Sequence, residues 1–261
     1  MIKTALAPFG VEVHGLNLAT ISAPSFDAIA ALIAKSRVVV FRNQQISDSA
    51  FVQFLQGLGE LTFTQGETPA EHAPDLNVVS NVGRQTPPKS VFHTDTSYVA
   101  RPPAFSALKP VVLPTSGGDT LFSDQVRAAA SLPQNIRHYL DGRTVLHGVS
   151  GLEGQIEGKS TTTRQPLFRR HALTGEVSLF LSTPQRCTGL SGVDTLTSER
   201  IIAALYRFST RASKLYRHQW KAGDLLIWDN RVTMHRADHG DVTQDRVLHR
   251  GMVMGEVPLM A

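Results

Sequence analysis

The C-terminal third confines the fold most tightly. Residues 216–220, 225–228 and 246–254 are short apolar, aromatic or β-branched runs, and the first two are joined by Lys221-Ala222-Gly223-Asp224. Runs of that length around a tight turn predict strands, not helices. The same texture recurs upstream. Arg37-Val38-Val39-Val40-Phe41-Arg42 reads as a buried strand, residues 105–113 as another, residues 173–181 as a turn then a strand, and Ser116-Gly117-Gly118-Asp119 as a turn into Thr120-Leu121-Phe122. Helical spacing appears in fewer places. Phe26, Ile29, Ala30 and Ile33 make one stripe; Phe51, Phe54, Leu55 and Leu58 make another behind Ser47-Asp48; and Ile201, Leu205 and Phe208 a third behind a Thr197 cap. Shorter helices are expected near 124–130 and 133–140. Residues 61–89 and 148–166 break the pattern and are expected to be loops, with only Leu76-Asn77-Val78-Val79 strand-like in the first. Many short strands with helices outside, and no repeat or linker, predict a mainly β fold with flanking helices, a jelly roll, formed as a single domain over 1–261.

Composition narrows the function by exclusion. At 41% hydrophobic and 18% charged, the chain is an ordinary globular sequence. Its +4 formal charge is not gathered into a dense stripe. Arg207, Arg211, Lys214 and Arg217 read as the solvated face of a helix, so no nucleic-acid partner is expected. No run reaches membrane-spanning length and no secretory segment is visible, so no membrane partner is expected. The lone Cys187 forbids an internal disulfide and suits a cytoplasmic location. It reads as inert packing rather than a nucleophile.

Chemistry concentrates at Phe92-His93-Thr94-Asp95. In a strand, His93 and Asp95 would turn to one face, roughly 6–7 Å apart at Cα, close enough to share a metal ion. An imidazole and a carboxylate, joined by one distant histidine, form the donor set of non-haem iron oxygenases. His235 is the candidate, although the residues alone fit a loop histidine bonded to carbonyls equally well. His239-Gly240-Asp241 repeats the His-x-Asp pattern, so the motif alone is not specific.

Order and spacing of several stretches add specificity. The sequence resembles the TauD/TfdA family of Fe(II)- and 2-oxoglutarate-dependent dioxygenases over nearly its full length. The similarity includes residues 39–44, Phe92-His93-Thr94-Asp95, Gly117-Gly118-Asp119-Thr120, Trp228-Asp229-Asn230-Arg231 leading to His235, and Arg246-Val247-Leu248-His249-Arg250. The resemblance implies a double-stranded β-helix and assigns His93, Asp95 and His235 to iron. It assigns Arg246 to the distal carboxylate of 2-oxoglutarate, with Thr120 assisting. It also implies O2 as oxidant, succinate and carbon dioxide as products, and hydroxylation of a small-molecule substrate.

Strand periodicity then puts Arg246, Leu248, Arg250 and Met252 on one face. Arg250 matches a substrate-anion position in the family. It is expected to lack a protein carboxylate and so to require an acidic substrate, because unpaired buried charges are costly. Lys89 and His72 are further candidate substrate contacts. A homo-oligomer, dimer or tetramer, is expected. A non-catalytic or zinc-bound jelly-roll protein that binds small anions is the alternative, since the same three ligands suit zinc.

Overall fold

In the computed structural model, which describes residues 2–64, 66–83, 90–149, 161–240 and 242–261, the valine-rich run Val38–Phe41 is a strand with every side chain buried. Both of its faces are covered. Val39 and Phe41 join a core with the first two helices, whereas Val38 and Val40 join a second core with Phe122 and Trp228. The neighbouring strand Leu225–Asp229 divides likewise, with Leu225 and Ile227 on one side and Leu226 and Trp228 on the other. A near-continuous apolar run is what burial on two faces demands.

These two strands form the centre of a nine-stranded sheet that continues through Pro103–Val112 and Val247–Met254 to Ala73–Ser80. Opposite lies a small antiparallel sheet of Leu215–His218, Thr120–Asp124 and Thr233–Ala237. Phe122 and Tyr216 from the small sheet meet Val38, Val40, Trp228 and Leu248 from the large one. This is the expected jelly-roll sandwich. Its outer face is sealed by helices Pro24–Ser36 and Asp48–Leu58. Ser47 caps the second helix by accepting from Ala50 N at 3.1 Å. Leu55 of that helix packs so closely on Gly251 that a Cβ there would stand 2.1 Å from Leu55 Cδ1. Leu55→Ala would leave a void costing about 2–5 kcal/mol.

Four local expectations fail. The stretch 61–89, expected to be a loop apart from strand-like residues 76–79, contains the longer strand Ala73–Ser80 around that run and the short strands Leu61–Thr62 and Pro69–Ala70. Exposed Pro74 and Asp75 hide its β pattern. In the stretch 148–166, Thr162–Pro166 is a strand paired with Thr144–Gly148, while residues 150–160 lie outside those described. Helix Thr195–Ser209 is capped by Asp194, whose carboxylate accepts from Thr197 N, not by Thr197 itself. The strand expected around His93 is a single antiparallel bridge to His235, followed at Asp95 by a turn. Among the described residues no helix is long and apolar enough to cross a membrane.

Candidate active site

The bridge is what joins the distant ligands. His93 N donates to His235 O at 2.9 Å and His235 N to His93 O at 3.0 Å, so the rings lie side by side with centroids 4.3 Å apart. His235 is not in a loop but central in Thr233–Ala237, seated against Trp228 and Phe122. Asp95 completes the cluster: its Oδ1 is 3.6 Å from His93 Nε2 and 4.0 Å from His235 Nε2. The donor atoms of all three residues lie within 4.8 Å of one another, the only such cluster found among the described residues.

Asp95 leaves regular structure at this point, so other residues must hold it. Asn230 does so on both sides of the backbone: its Oδ1 accepts from Asp95 N at 2.9 Å and its Nδ2 donates to Asp95 O at 3.1 Å. Ser106 Oγ donates to Asp95 Oδ2 at 2.8 Å, which leaves Oδ1 toward the histidines. Burial alone would raise the Asp95 carboxyl, but Arg250, His235 and His93 hold it well below the ordinary carboxylate range. Burial, with help from His93 and Arg250 and against Asp95, lowers His235 to about 3, so its ring is neutral at physiological pH. His93 Nδ1 lies 2.9 Å from Val91 O. Donating there, it keeps the Nε2 lone pair for a ligand. Two imidazoles and an ionised carboxylate fit a divalent transition-metal ion.

The cluster opens into a cavity of about 190 Å³ whose walls include Thr120, Arg246, Arg250, Glu67, Tyr98 and Arg186. As periodicity predicts, Arg246 and Arg250 face it, while His249 and Gly251 turn to the helix side, His249 toward Asp48 at 2.9 Å. Arg246 is 1% exposed, and no carboxylate lies within ion-pair range of it among the described residues. Burial lowers it to about 10, only partly offset by Asp119. Its Nε donates to Gly118 O at 2.9 Å and its Nη2 to Thr120 Oγ1 at 3.4 Å, so three of its five N–H groups have no partner among the described residues. Gly118 has φ of +71°, and a Cβ there would come within 2.9 Å of Arg246 Cδ, so both turn and close approach require glycine. Thr120 Oγ1 also accepts from Trp220 Nε1 at 3.0 Å, which leaves the hydroxyl proton for an incoming anion.

Arg250 departs from expectation. It does not lack a carboxylate: Nη1 donates to Asp95 Oδ1 at 3.1 Å, and Nη2 donates to Thr64 Oγ1 and Asn77 Oδ1 at 3.2 and 3.3 Å. Glu67 Oε1 stands 3.9 Å from the same Nη2. The charge that neutralises Arg250 comes from 155 residues away in sequence, where a search among its chain neighbours could not find it. His72 is exposed in the tight turn between Pro69–Ala70 and Ala73–Ser80 and does not line the cavity. Lys89 lies outside the described residues.

The sequence reading assigned no role to Ser106, Asn230, Thr64, Asn77, Trp220, Glu67, Tyr98 or Arg186. Only Asn230 carried a signal, through its place in Trp228-Asp229-Asn230-Arg231. Cys187 is buried, with its thiol pushed up to about 12 by burial, and plays no part in the cavity.

Comparison with known proteins places the whole chain among relatives. The family model described as taurine catabolism dioxygenase TauD, TfdA family, matches residues 3–252. An alpha-ketoglutarate-dependent sulfate ester dioxygenase of Pseudomonas putida is 32% identical, with 96% of this chain and 88% of that protein covered. An alpha-ketoglutarate-dependent 2,4-dichlorophenoxyacetate dioxygenase of a Burkholderia species is 29% identical over 84% of this chain and 82% of its own. The crystal structure of a taurine dioxygenase from Burkholderia xenovorans superposes with a TM-score of 0.86 at 30% identity, covering 99% and 92% of the two chains. AAD-2 in complex with Mn(II) and N-oxalylglycine superposes at 0.84 with 25% identity, covering 99% of each.

Proposed function

The chain belongs to the TauD, TfdA family of dioxygenases, and from that premise we propose how its residues divide the work: His93, Asp95 and His235 hold iron(II), Arg246 and Thr120 hold 2-oxoglutarate, and a small anionic substrate is oxidised at a C–H bond beside them. Iron(II), when bound, supplies activation of dioxygen coupled to decarboxylation of 2-oxoglutarate to succinate and carbon dioxide. The protein supplies position, charge and dryness. One observation carries the reading: a three-donor metal cluster and a buried arginine without a carboxylate partner among the described residues share a single cavity. A planar guanidinium with three spare N–H groups, beside a hydroxyl with a spare proton, suits a carboxylate held through several bonds.

Around this core, Trp228 and Phe122 exclude water from His235, and Ser106 and Asn230 keep Asp95 from turning away. The substrate is a sulfonate, sulfate ester, aryloxy acid or other carboxylic acid. The named relatives act on a sulfate ester, an aryloxyacetate and taurine, each of which carries an acidic group. Arg250 and Lys89 stand as candidate contacts on the substrate side. The buried thiol and ordinary composition support a cytoplasmic enzyme; we also expect a homo-oligomer with neither nucleic acid nor membrane as partner, which fractionation and light scattering test.

The test is anaerobic addition of iron(II) and 2-oxoglutarate, read in the visible, followed by admission of oxygen and measurement of succinate release against sulfonates, sulfate esters, aryloxy acids and phosphonates. A weak visible charge-transfer band, absent with zinc, and acid-stimulated succinate release are expected. Absence of both would sink the proposal.

A further inference from the structure

Among the described residues the cavity holds three arginines, and their surroundings differ. Arg246 is committed to the Thr120 side. Arg250 has Nη1 on Asp95 and Nη2 on Thr64 and Asn77, so it braces the metal-ligand carboxylate. Arg186 alone makes no side-chain hydrogen bond or ion pair among the described residues. Its backbone is nonetheless fixed. Arg186 N donates to Thr183 O at 2.9 Å, Gly148 N donates to Arg186 O at 2.7 Å, and the next residue, Cys187, is buried. The side chain therefore leaves an anchored turn and reaches the cavity over Tyr98, with Cζ 5.9 Å from the ring centroid.

Resting on the dioxygenase reading above, the geometry points to Arg186 as the residue that receives the acidic group of the primary substrate. A free guanidinium offers two parallel N–H groups to a sulfonate, sulfate or carboxylate without breaking an existing bond. Arg250 keeps an unpartnered Nε and one Nη1 hydrogen, but both Nη2 hydrogens are engaged by Thr64 and Asn77, so it cannot present a two-donor edge without giving up one of them. Charge orders the substrate as well. Asp95 and Glu67 repel an anion from the triad and from the Arg250 corner, so the acidic end settles at Arg186 and the rest of the molecule extends over Tyr98 toward His93 and His235. Arg186 also balances the ring beneath it: burial raises the Tyr98 hydroxyl, which Arg186 and Arg250 oppose and Glu67 and Asp95 reinforce.

The experiment is calorimetric titration of hexyl sulfate and hexanesulfonate, with hexanesulfonamide as neutral control, into protein loaded with Mn(II) and N-oxalylglycine. Arg186→Gln should weaken both acids by about tenfold or more, as loss of a charged hydrogen bond does. It should leave the sulfonamide within about twofold, and Arg186→Lys should recover part of the loss. Because Arg186 has no side-chain partner among the described residues, unchanged melting temperature and metal content are expected in both variants. Acid affinities within about threefold of wild type in Arg186→Gln, or no acid binding by the wild type, overturn the assignment. Co-substrate binding separates the two readings. Failure of wild type to bind 2-oxoglutarate or N-oxalylglycine in the presence of metal would sink the dioxygenase reading, whereas intact binding with indifferent acids sinks Arg186 alone.

Discussion

The two ends of the cavity are built differently. At one end Arg246, Gly118 and Thr120 lie on or beside regular strands, Arg246 is fully buried, and each polar group has a fixed neighbour or a defined spare donor. At the other, Glu67 comes from a segment between two-residue strands, Tyr98 from the turn after Asp95, and Arg186 from a turn before Cys187–Leu190. Glu67 keeps 37% of its side chain in solvent. A strand-built, dry end suits a ligand that never changes; an end assembled from turns can vary without disturbing the sandwich. The difference is what the proposed division between co-substrate and substrate recognition would require.

The triad sits between the two ends, and breaking it should have the largest effect. His93→Ala, Asp95→Ala and His235→Ala should each reduce succinate release by roughly a thousandfold or more, with loss of metal content. The three should differ in stability. Asp95→Ala also strips Arg250 of its carboxylate, and removing one partner of a buried pair costs about 3–5 kcal/mol. Urea denaturation should therefore rank Asp95→Ala below the histidine variants. Equal stabilities would mean that the Asp95–Arg250 contact contributes nothing to the fold.

The strand-built end comes next. Arg246→Leu should weaken 2-oxoglutarate by about 30- to several-thousand-fold, equivalent to roughly 2–5 kcal/mol for a desolvated ion pair. Iron affinity should be nearly unchanged. Gly118→Ala should act in the same direction but less, by about tenfold, because the added methyl pushes Arg246 and the turn resists a positive φ. A threefold or smaller change for Arg246→Leu would move the co-substrate to another cation.

This division also explains what the sequence made legible. Val38–Phe41 and Leu225–Asp229 are readable because burial on both faces imposes an unbroken apolar run. Arg246 and Arg250 are readable because period 2 carries across a single strand. The partner of Arg250 was not, since Asp95 reaches it only after the chain has folded. Nor was Arg186, whose position in a polar turn is indistinguishable from a solvated surface arginine. His72 failed for the converse reason: a histidine near the pocket in sequence can be carried outward by a tight turn.

Acid should loosen the turn-built end through His147. This fully buried ring lies 2.9 Å from Ser97 Oγ, beneath the turn that carries Asp95 and Tyr98. Burial lowers it from 6.5 to about 3, with a weak opposing bond to Phe180. The unfolded chain therefore binds the proton more readily than the folded one. The penalty is absent above pH 6.5 and grows as pH falls from 6.5 toward 3. Stability should decline by up to about 1.4 kcal/mol per pH unit in that window from this residue alone. Urea midpoints against pH should show a shallower decline in His147→Gln, after correction for its lower baseline. Parallel curves would remove His147 as a source of acid lability.

The smallest effect, and the finest probe of the comparison, is charge selection by Glu67. Among the described residues three arginines and two carboxylates line the cavity, leaving one net positive charge. Iron(II) and 2-oxoglutarate cancel each other, so loading the site does not alter that balance. A substrate with one negative charge neutralises the cavity, and one with two leaves an excess next to Asp95. Hexanesulfonate and hexylphosphonate compare the cases directly, because their tetrahedral heads are similar and only the phosphonate becomes a dianion in mildly alkaline buffer. Wild type should prefer the sulfonate. Glu67→Gln removes a charge 3.9 Å from Arg250 without changing side-chain size, and should favour the dianion more than the monoanion. Partial exposure screens the carboxylate, so the affinity ratio should move by only about three- to tenfold. Raising the salt concentration should erase most of that shift, because an exposed charge is screened within about a Debye length. The decisive number is the ratio of the two dissociation constants at low salt. If Glu67→Gln leaves it unchanged, the turn-built end reads shape rather than charge.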